Sequence, residues 1–289
     1  MKNRKLGYLI AVISATLYGF MPLFTKTIYA SGANAFTVVF LRLTVGAAVF
    51  LIMHFIAEKE SLKISKDEFV RLLICSLGYG FTPVLLYTSY LYLDSGLATT
   101  LHFVYPVFVV LGSVIFRIEK INARKIICCV LSMAGIVAFY KPGGEISIAG
   151  ILIALASGVV YAFYSVYLEA SGLLKMGPYK LSFWKHLLAT GIVSIVALVF
   201  RQFAWPGTMT GWSFAVMLGI LAAAASFLYQ QATKHAGAQS TCLLSTFEPL
   251  TSLIVGFFVF NEKLEPLNFL GIACILASVV LLSFGEKKK

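Results

Sequence analysis

Ten apolar blocks, each close to the twenty or so residues that an α-helix needs to cross a bilayer, divide this chain of 289 residues. They run over 6–28, 34–57, 69–91, 95–116, 123–140, 148–170, 179–201, 211–233, 238–260 and 266–284. Short connections carry helix breakers: Ser31-Gly32, Lys141-Pro142-Gly143-Gly144, Met176-Gly177-Pro178, Pro206-Gly207 and Glu265-Pro266. None could house a soluble domain. Membrane strands would be shorter, about 9–11 residues, and would alternate in polarity, a pattern absent here. With 60% hydrophobic and only 12% charged residues, the chain has too little polar surface to coat a soluble globule. The blocks therefore predict an all-α polytopic membrane protein.

The first block continues from Leu6 to Phe24 without an A-x-A cleavage site, so it reads as an uncleaved span. The five cysteines fall inside apolar runs with no CxxC and no histidine spacing suited to zinc. They are expected to pack as small hydrophobes, and no metal or cofactor is expected.

The net charge of +11 could indicate nucleic acid, but the distribution of Lys and Arg decides otherwise. With the N-terminus inside, one face receives Lys2, Arg4, Lys5, Lys59, Lys63, Lys66, Arg71, Arg117, Lys120, Arg124, Lys125, Lys175, Lys180, Lys234 and 287–289, and the other only Lys26, Lys141, Arg201 and Lys263. This bias predicts both termini in the cytoplasm of a cell-membrane protein and accounts for the charge without nucleic acid. Arg42 and Lys185 fall inside spans.

Shifting the sequence by 143 residues aligns GYLIAVISATLYGF, starting at Gly7, with GILIALASGVVYAF, starting at Gly150, at seven of fourteen positions. The same shift superimposes Phe40 on Phe183, Arg42 on Lys185, Pro106 on Pro249, and Glu119-Lys120 on Glu262-Lys263. One offset held through each half predicts a duplicated five-helix unit, 1–143 and 144–289. Because five is odd, the second copy is expected to be inverted, a plan found in secondary transporters whose substrate sits between the halves. Small residues at every fourth position, Ala11, Ala15 and Gly19 against Ala154, Gly158 and Ala162, predict close helix packing, with Tyr18 and Tyr161 emerging toward a cavity.

Helix 1 ending in Lys26, Phe40-Leu41-Arg42, and the blocks YPVFVVLGSVIFRIEK (Tyr105 to Lys120) and EPLTSLIVGFFVFNEK (Glu248 to Lys263) resemble the drug/metabolite transporter superfamily, specifically its EamA-type ten-helix exporters. The resemblance covers essentially the whole chain. It implies two inverted five-helix repeats around a central cavity and export of small metabolites, such as amino acids, amines or drugs, often coupled to protons.

Intramembrane ionisable residues are the first candidates for function. Glu248 lies roughly 15 Å into the ninth span, beside Pro249. Desolvation favours the protonated carboxyl and a bound cation the ionised form, so one carboxylate can exchange a proton for substrate. Arg42, roughly 12 Å into the second span, offers a planar fork for a carboxylate; substrate contact and a structural pairing with Glu248 are both open. Lys185 has the same alternatives, and Trp184 shares its segment. His102, one turn before Pro106, suits a proton relay or a packing role. Tyr87, Tyr229 and Gln230 are expected to line the cavity with Tyr18, Tyr105 and Tyr161, while the Glu-Lys pairs orient helix ends. The expected partners are a small-molecule substrate, the bilayer and protons, with monomer and homodimer both open. GxxxxGK[ST] is absent, so ATP is not the direct energy source. An intramembrane enzyme and a channel are the competing classes; neither a catalytic motif nor a visible selectivity filter supports them.

Overall fold

The computed structural model describes residues 3–89, 91–93, 95–118, 122–138, 147–260 and 266–284. These residues build thirteen α-helices: α1 (Arg4–Gly19), α2 (Met21–Ala30), α3 (Ala35–Met53), α4 (Lys66–Ser89), α5 (Ser95–His102), α6 (Tyr105–Ile115), α7 (Ala123–Val137), α8 (Ile148–Ala170), α9 (Pro178–Val199), α10 (Met209–Ala236), α11 (Ala238–Leu244), α12 (Phe247–Phe260) and α13 (Pro266–Phe284). Asparagine, serine and threonine side chains start several of them: Asn34 caps α3, Asn122 caps α7, Ser147 caps α8 and Thr208 caps α10. Each oxygen satisfies one of the amides that a helix start leaves without an internal partner.

The thirteen pieces follow the ten blocks because α1 with α2, α5 with α6, and α11 with α12 each share a block. Eight segments are long and apolar enough to cross a membrane, and Pro266–Leu282 is a shorter apolar helix. The remaining block holds α7, whose 15 residues pack along α13. The expected count of ten is thus reached only by including helices shorter than a full span. The Lys141 to Gly144 connection, Tyr90, and the Glu119-Lys120 and Glu262-Lys263 pairs lie outside the described residues.

Burial runs opposite to the soluble pattern. Large side chains such as Leu9, Ile52, Val130, Leu152, Leu198 and Phe258 point outward, whereas Ser14, Thr37, Ser76, Ser132, Ser157, Ser165 and Ser182 are buried. In lipid the apolar exterior costs nothing, and small polar residues allow helices to approach and bond across their interfaces. Ser132 and Ser278 hydroxyls meet at 2.8 Å between α7 and α13, and Ser14 donates to the Ala225 carbonyl at 2.7 Å between α1 and α10.

The packed pairs come in twos related by the 143-residue offset. α1 lies on α10 as α8 lies on α4; α1 lies on α12 as α8 lies on α6; α3 with α9 and α7 with α13 pair across the two halves. The small-residue ladder is the packing face. Ala11, Ala15, Ala154 and Ala162 are all buried. A Cβ on Gly19 would stand 2.7 Å from the Glu248 carbonyl oxygen, and one on Gly158 2.7 Å from that of His102. Both glycines press a helix backbone onto the place where a neighbouring helix is interrupted.

Gly19→Ala and Gly158→Ala are each expected to cost about 1–3 kcal/mol, the usual penalty for overpacking. Gly191→Ala, where an added methyl meets nothing within 4 Å, should be neutral or stabilising. Thermal unfolding in detergent checks all three.

Candidate functional site

The sequence suggests proline-loosened but continuous fourth and ninth helices, and the structure instead shows full breaks. α5 ends at His102 and α6 begins at Tyr105 with Pro106 in its first turn; α11 ends at Leu244 and α12 begins at Phe247, with Glu248 and Pro249 following. A proline in the first turn is compatible with a helix start because its missing amide would have lacked a partner. Backbone polar groups at the breaks stay paired. Phe103 and Val104 amides reach the Thr99 and Leu101 carbonyls, and the Ser245 and Thr246 hydroxyls bond the Thr241 and Leu243 carbonyls. Glu248 therefore sits at the N-terminal end of a half-helix, where the helix dipole favours an anion.

Arg42 stands on α3 facing the same interior. Both groups are half-buried within the bundle and keep accessible surface there. They interact electrostatically. Among the described residues, however, no ion pair joins them. The closest polar contact of the guanidinium is the Met21 sulfur, 3.9 Å from Nη1, and its Nε is buried without a hydrogen bond. Tyr18, at the end of α1, feels both charges, and Tyr79 and Tyr87 on α4 feel Arg42.

Beyond Glu248 the wall is aromatic. The Tyr105 and Tyr161 rings meet edge to face at 4.6 Å, Tyr161 lies 5.9 Å from Tyr229, and Tyr229 stacks on Tyr164 at 6.3 Å. His102 packs on Tyr105 and Tyr161 and bonds Ser157 at 2.8 Å. The Tyr229 hydroxyl is held by Ser165 at 2.8 Å. Arg42, Glu248, Tyr18, Tyr105 and Tyr161 are thus brought together, with His102 and Tyr229 supporting the wall.

The other candidates are engaged elsewhere. Gln230 binds the Ser182 hydroxyl and the Pro178 carbonyl, at 3.2 and 3.1 Å, tying α10 to the start of α9. Trp184 donates to the Leu62 carbonyl at 3.0 Å, in the connection between α3 and α4. Lys185 is completely buried and bonds the Tyr164 hydroxyl at 3.2 Å. Sequence reasoning did not single out Tyr164, although its spacing of three from Tyr161 places both on one helix face.

An all-α bundle with interrupted helices and opposite charges in a tyrosine-lined interior defines a polytopic helical membrane protein. The EamA-like transporter family model matches residues 5–141 and again 148–284, so the chain belongs to that family of transporters. It is 26% identical over 95% of both chains to an uncharacterized transporter of Archaeoglobus fulgidus. It is 23% identical to an S-adenosylmethionine uptake transporter of Rickettsia felis, over 97% of this chain and 92% of the relative. A solved structure, titled only as the crystal structure of a protein, shares the fold with a TM-score of 0.84 at 18% identity, covering 96% of each chain.

Replacing Gln230 by Leu removes both of its bonds and leaves buried partners unsatisfied. A loss of about 1–3 kcal/mol is expected, visible as a lower melting temperature in detergent.

Proposed function

We infer that the protein is a secondary carrier that exports a small zwitterionic or cationic metabolite, an amino acid, amine or drug-like compound, across the cytoplasmic membrane by alternating access. One observation carries this reading: a permanent cation and a carboxylate, Arg42 from one half and Glu248 from the other, face one tyrosine-lined cavity without neutralising each other directly. Each unpaired charge near the middle of a membrane costs about 2.5–3.5 kcal/mol on insertion scales. A substrate that carries both complementary charges recovers part of that cost. Its carboxylate meets the Arg42 fork, and its cationic group meets Glu248 and the tyrosine faces.

S-adenosylmethionine has this chemistry, an amino-acid head and a sulfonium, and the Rickettsia relative makes it the first probe. Glu248 exchanges its proton for the cationic group, which gives proton-coupled exchange. The architecture in this reading is two five-helix units, 1–143 and 144–289, the second inverted, with both termini in the cytoplasm. The repeated family match, the paired packing and the basic-residue bias support it.

Ligand screening by thermal shift tests the site first. S-adenosylmethionine, zwitterionic amino acids and quaternary amines are the probes, and a ligand at a hundred times its Kd stabilises by about 2.7 kcal/mol. In proteoliposomes loaded with a binding probe, saturable counterflow identifies a carrier, and non-saturating flux identifies a channel. Glu248→Gln is expected to abolish pH-gradient-driven uphill transport while counterflow continues; gradient-driven transport in that variant would exclude coupling at Glu248. Arg42→Ala should weaken carboxylate-bearing probes by about 10–100-fold, the equivalent of a lost charge-assisted hydrogen bond. Unchanged affinity would remove Arg42 from the site.

A further inference from the structure

Lys185 is related to Arg42 by the 143-residue offset, and the two make related contacts. Arg42 reaches Met21 on α2, and Lys185 reaches Tyr164, 143 residues beyond Met21, on α8. Their surroundings differ. Arg42 keeps accessible surface in the cavity, whereas Lys185 is 0% exposed. Its Nζ lies 4.5 Å from the centre of the Tyr79 ring and 5.5 Å from that of Tyr164. Its hydrogen bond to Tyr164 engages one of three possible donors, and among the described residues no carboxylate pairs with it. Two aromatic faces return only about 0.5–2 kcal/mol to an ammonium. Removing that ion from water costs several kcal/mol.

The cage is the meeting point of α4, α8 and α9, and it is shut. A Cβ added to Gly78 would stand 2.9 Å from the Cβ of Tyr164, so α4 and α8 are in near backbone contact beside the amine. The ionisable groups facing it are Cys75 and Tyr79 on α4, Tyr164 on α8, and His186 on α9 itself. From α3, Arg42 acts on His186, and from α10, Tyr229 stacks on Tyr164. The His186 ring bonds the Ser182 carbonyl through Nδ1 at 2.8 Å and the Tyr79 and Ser226 hydroxyls through Nε2 at 3.1 and 3.4 Å. Donation from Nδ1 and acceptance at Nε2 satisfy the imidazole in its neutral form. The amine of Lys185 is then the one group in the cage suited to gain and lose a cationic charge, a capacity that Arg lacks at the related position.

We propose that Lys185 is a proton-binding site whose protonation is coupled to opening of the α4, α8 and α9 junction. The junction closes on the neutral amine, which donates to the Tyr164 hydroxyl; a proton from water entering between α4 and α8 converts it to an ammonium, which holds the junction open. The inference rests on the chain being an alternating carrier, and it adds a second titrating group behind the cavity wall formed by Tyr79.

Cys75, buried in this junction, is a native reporter that needs no substrate. The rate of its alkylation by N-ethylmaleimide, read by peptide mass spectrometry on purified protein between about pH 8.5 and about pH 6.5, measures opening. An uncoupled thiol loses about tenfold in reactivity per pH unit as its thiolate is depleted. Opening linked to one proton opposes this by up to about tenfold per unit, so wild-type Cys75 labelling is expected to hold close to level as the pH falls. Lys185→Met should restore the ordinary decline. Lys185→Arg, with its fixed charge, should be more reactive than Lys185→Met at every pH and show the same decline. An ordinary decline in the wild type, or a level profile in Lys185→Met, overturns the proposal. Absent counterflow with the level wild-type profile retained would reject the carrier reading and leave the proton site standing.

Discussion

A helix interrupted inside lipid leaves amides and carbonyls with no water to bond, and this constraint organises the centre of the molecule. Among the described residues three blocks are interrupted, at 20, 103–104 and 245–246, and the last two interruptions are shielded. Tight turns and the Ser245 and Thr246 hydroxyls pair the freed groups, while Gly19 and Gly158 allow α1 and α8 to close over them at backbone distance. The ends so created point the first turns of α6 and α12 inward, which places Tyr105 and Glu248 on the cavity. Neither position would face the interior so directly in a continuous helix rotating past it.

The same economy governs charge. Among the described residues most basic side chains lie in connections or toward helix ends, and Arg42 and Lys185 stand deeper inside spans. Among the described residues no ion pair engages Arg42, whose Nε is bare, or Glu248, which stands at a helix start. By contrast, Gln230 and Trp184 hold elements of the bundle together through hydrogen bonds. Incomplete satisfaction near the membrane centre separates groups poised for a ligand from groups that are structural.

Much of this was legible in the sequence. Helix length follows from bilayer thickness, and the ladder of Ala11, Ala15 and Gly19 with its counterpart follows from small-residue spacing, so the blocks and packing faces could be read directly. The breaks could not, because Pro106 and Pro249 are equally compatible with a kink and with the first turn of a new helix. The difference depends on whether α1 and α8 approach closely enough to cover the gap, which is a tertiary fact. Lys185 and Trp184 raised a similar ambiguity. Adjacent residues on a helix point about 100° apart, and only the rotation of α9 determines that the lysine turns inward to Tyr164 while Trp184 reaches the Leu62 carbonyl. Tyr164 acquires its importance from that rotation, and its sequence signal was only its spacing of three from Tyr161.

Arg42 and Lys185, related by the 143-residue offset, occupy different surroundings. Both reach the first span of their own half through related contacts, Met21 and Tyr164. Their cover differs, since the centre of the Tyr79 ring lies 4.5 Å from the lysine amine, which is fully buried, whereas Arg42 keeps accessible surface. Where the covering ring is present the amine is sealed from water, and a group that can shed its charge is the one that tolerates sealing. Arg42 instead keeps accessible surface within the bundle, where a permanent charge carries no such conflict. The residue types at 42 and 185 therefore follow the solvent access that the opposite half provides.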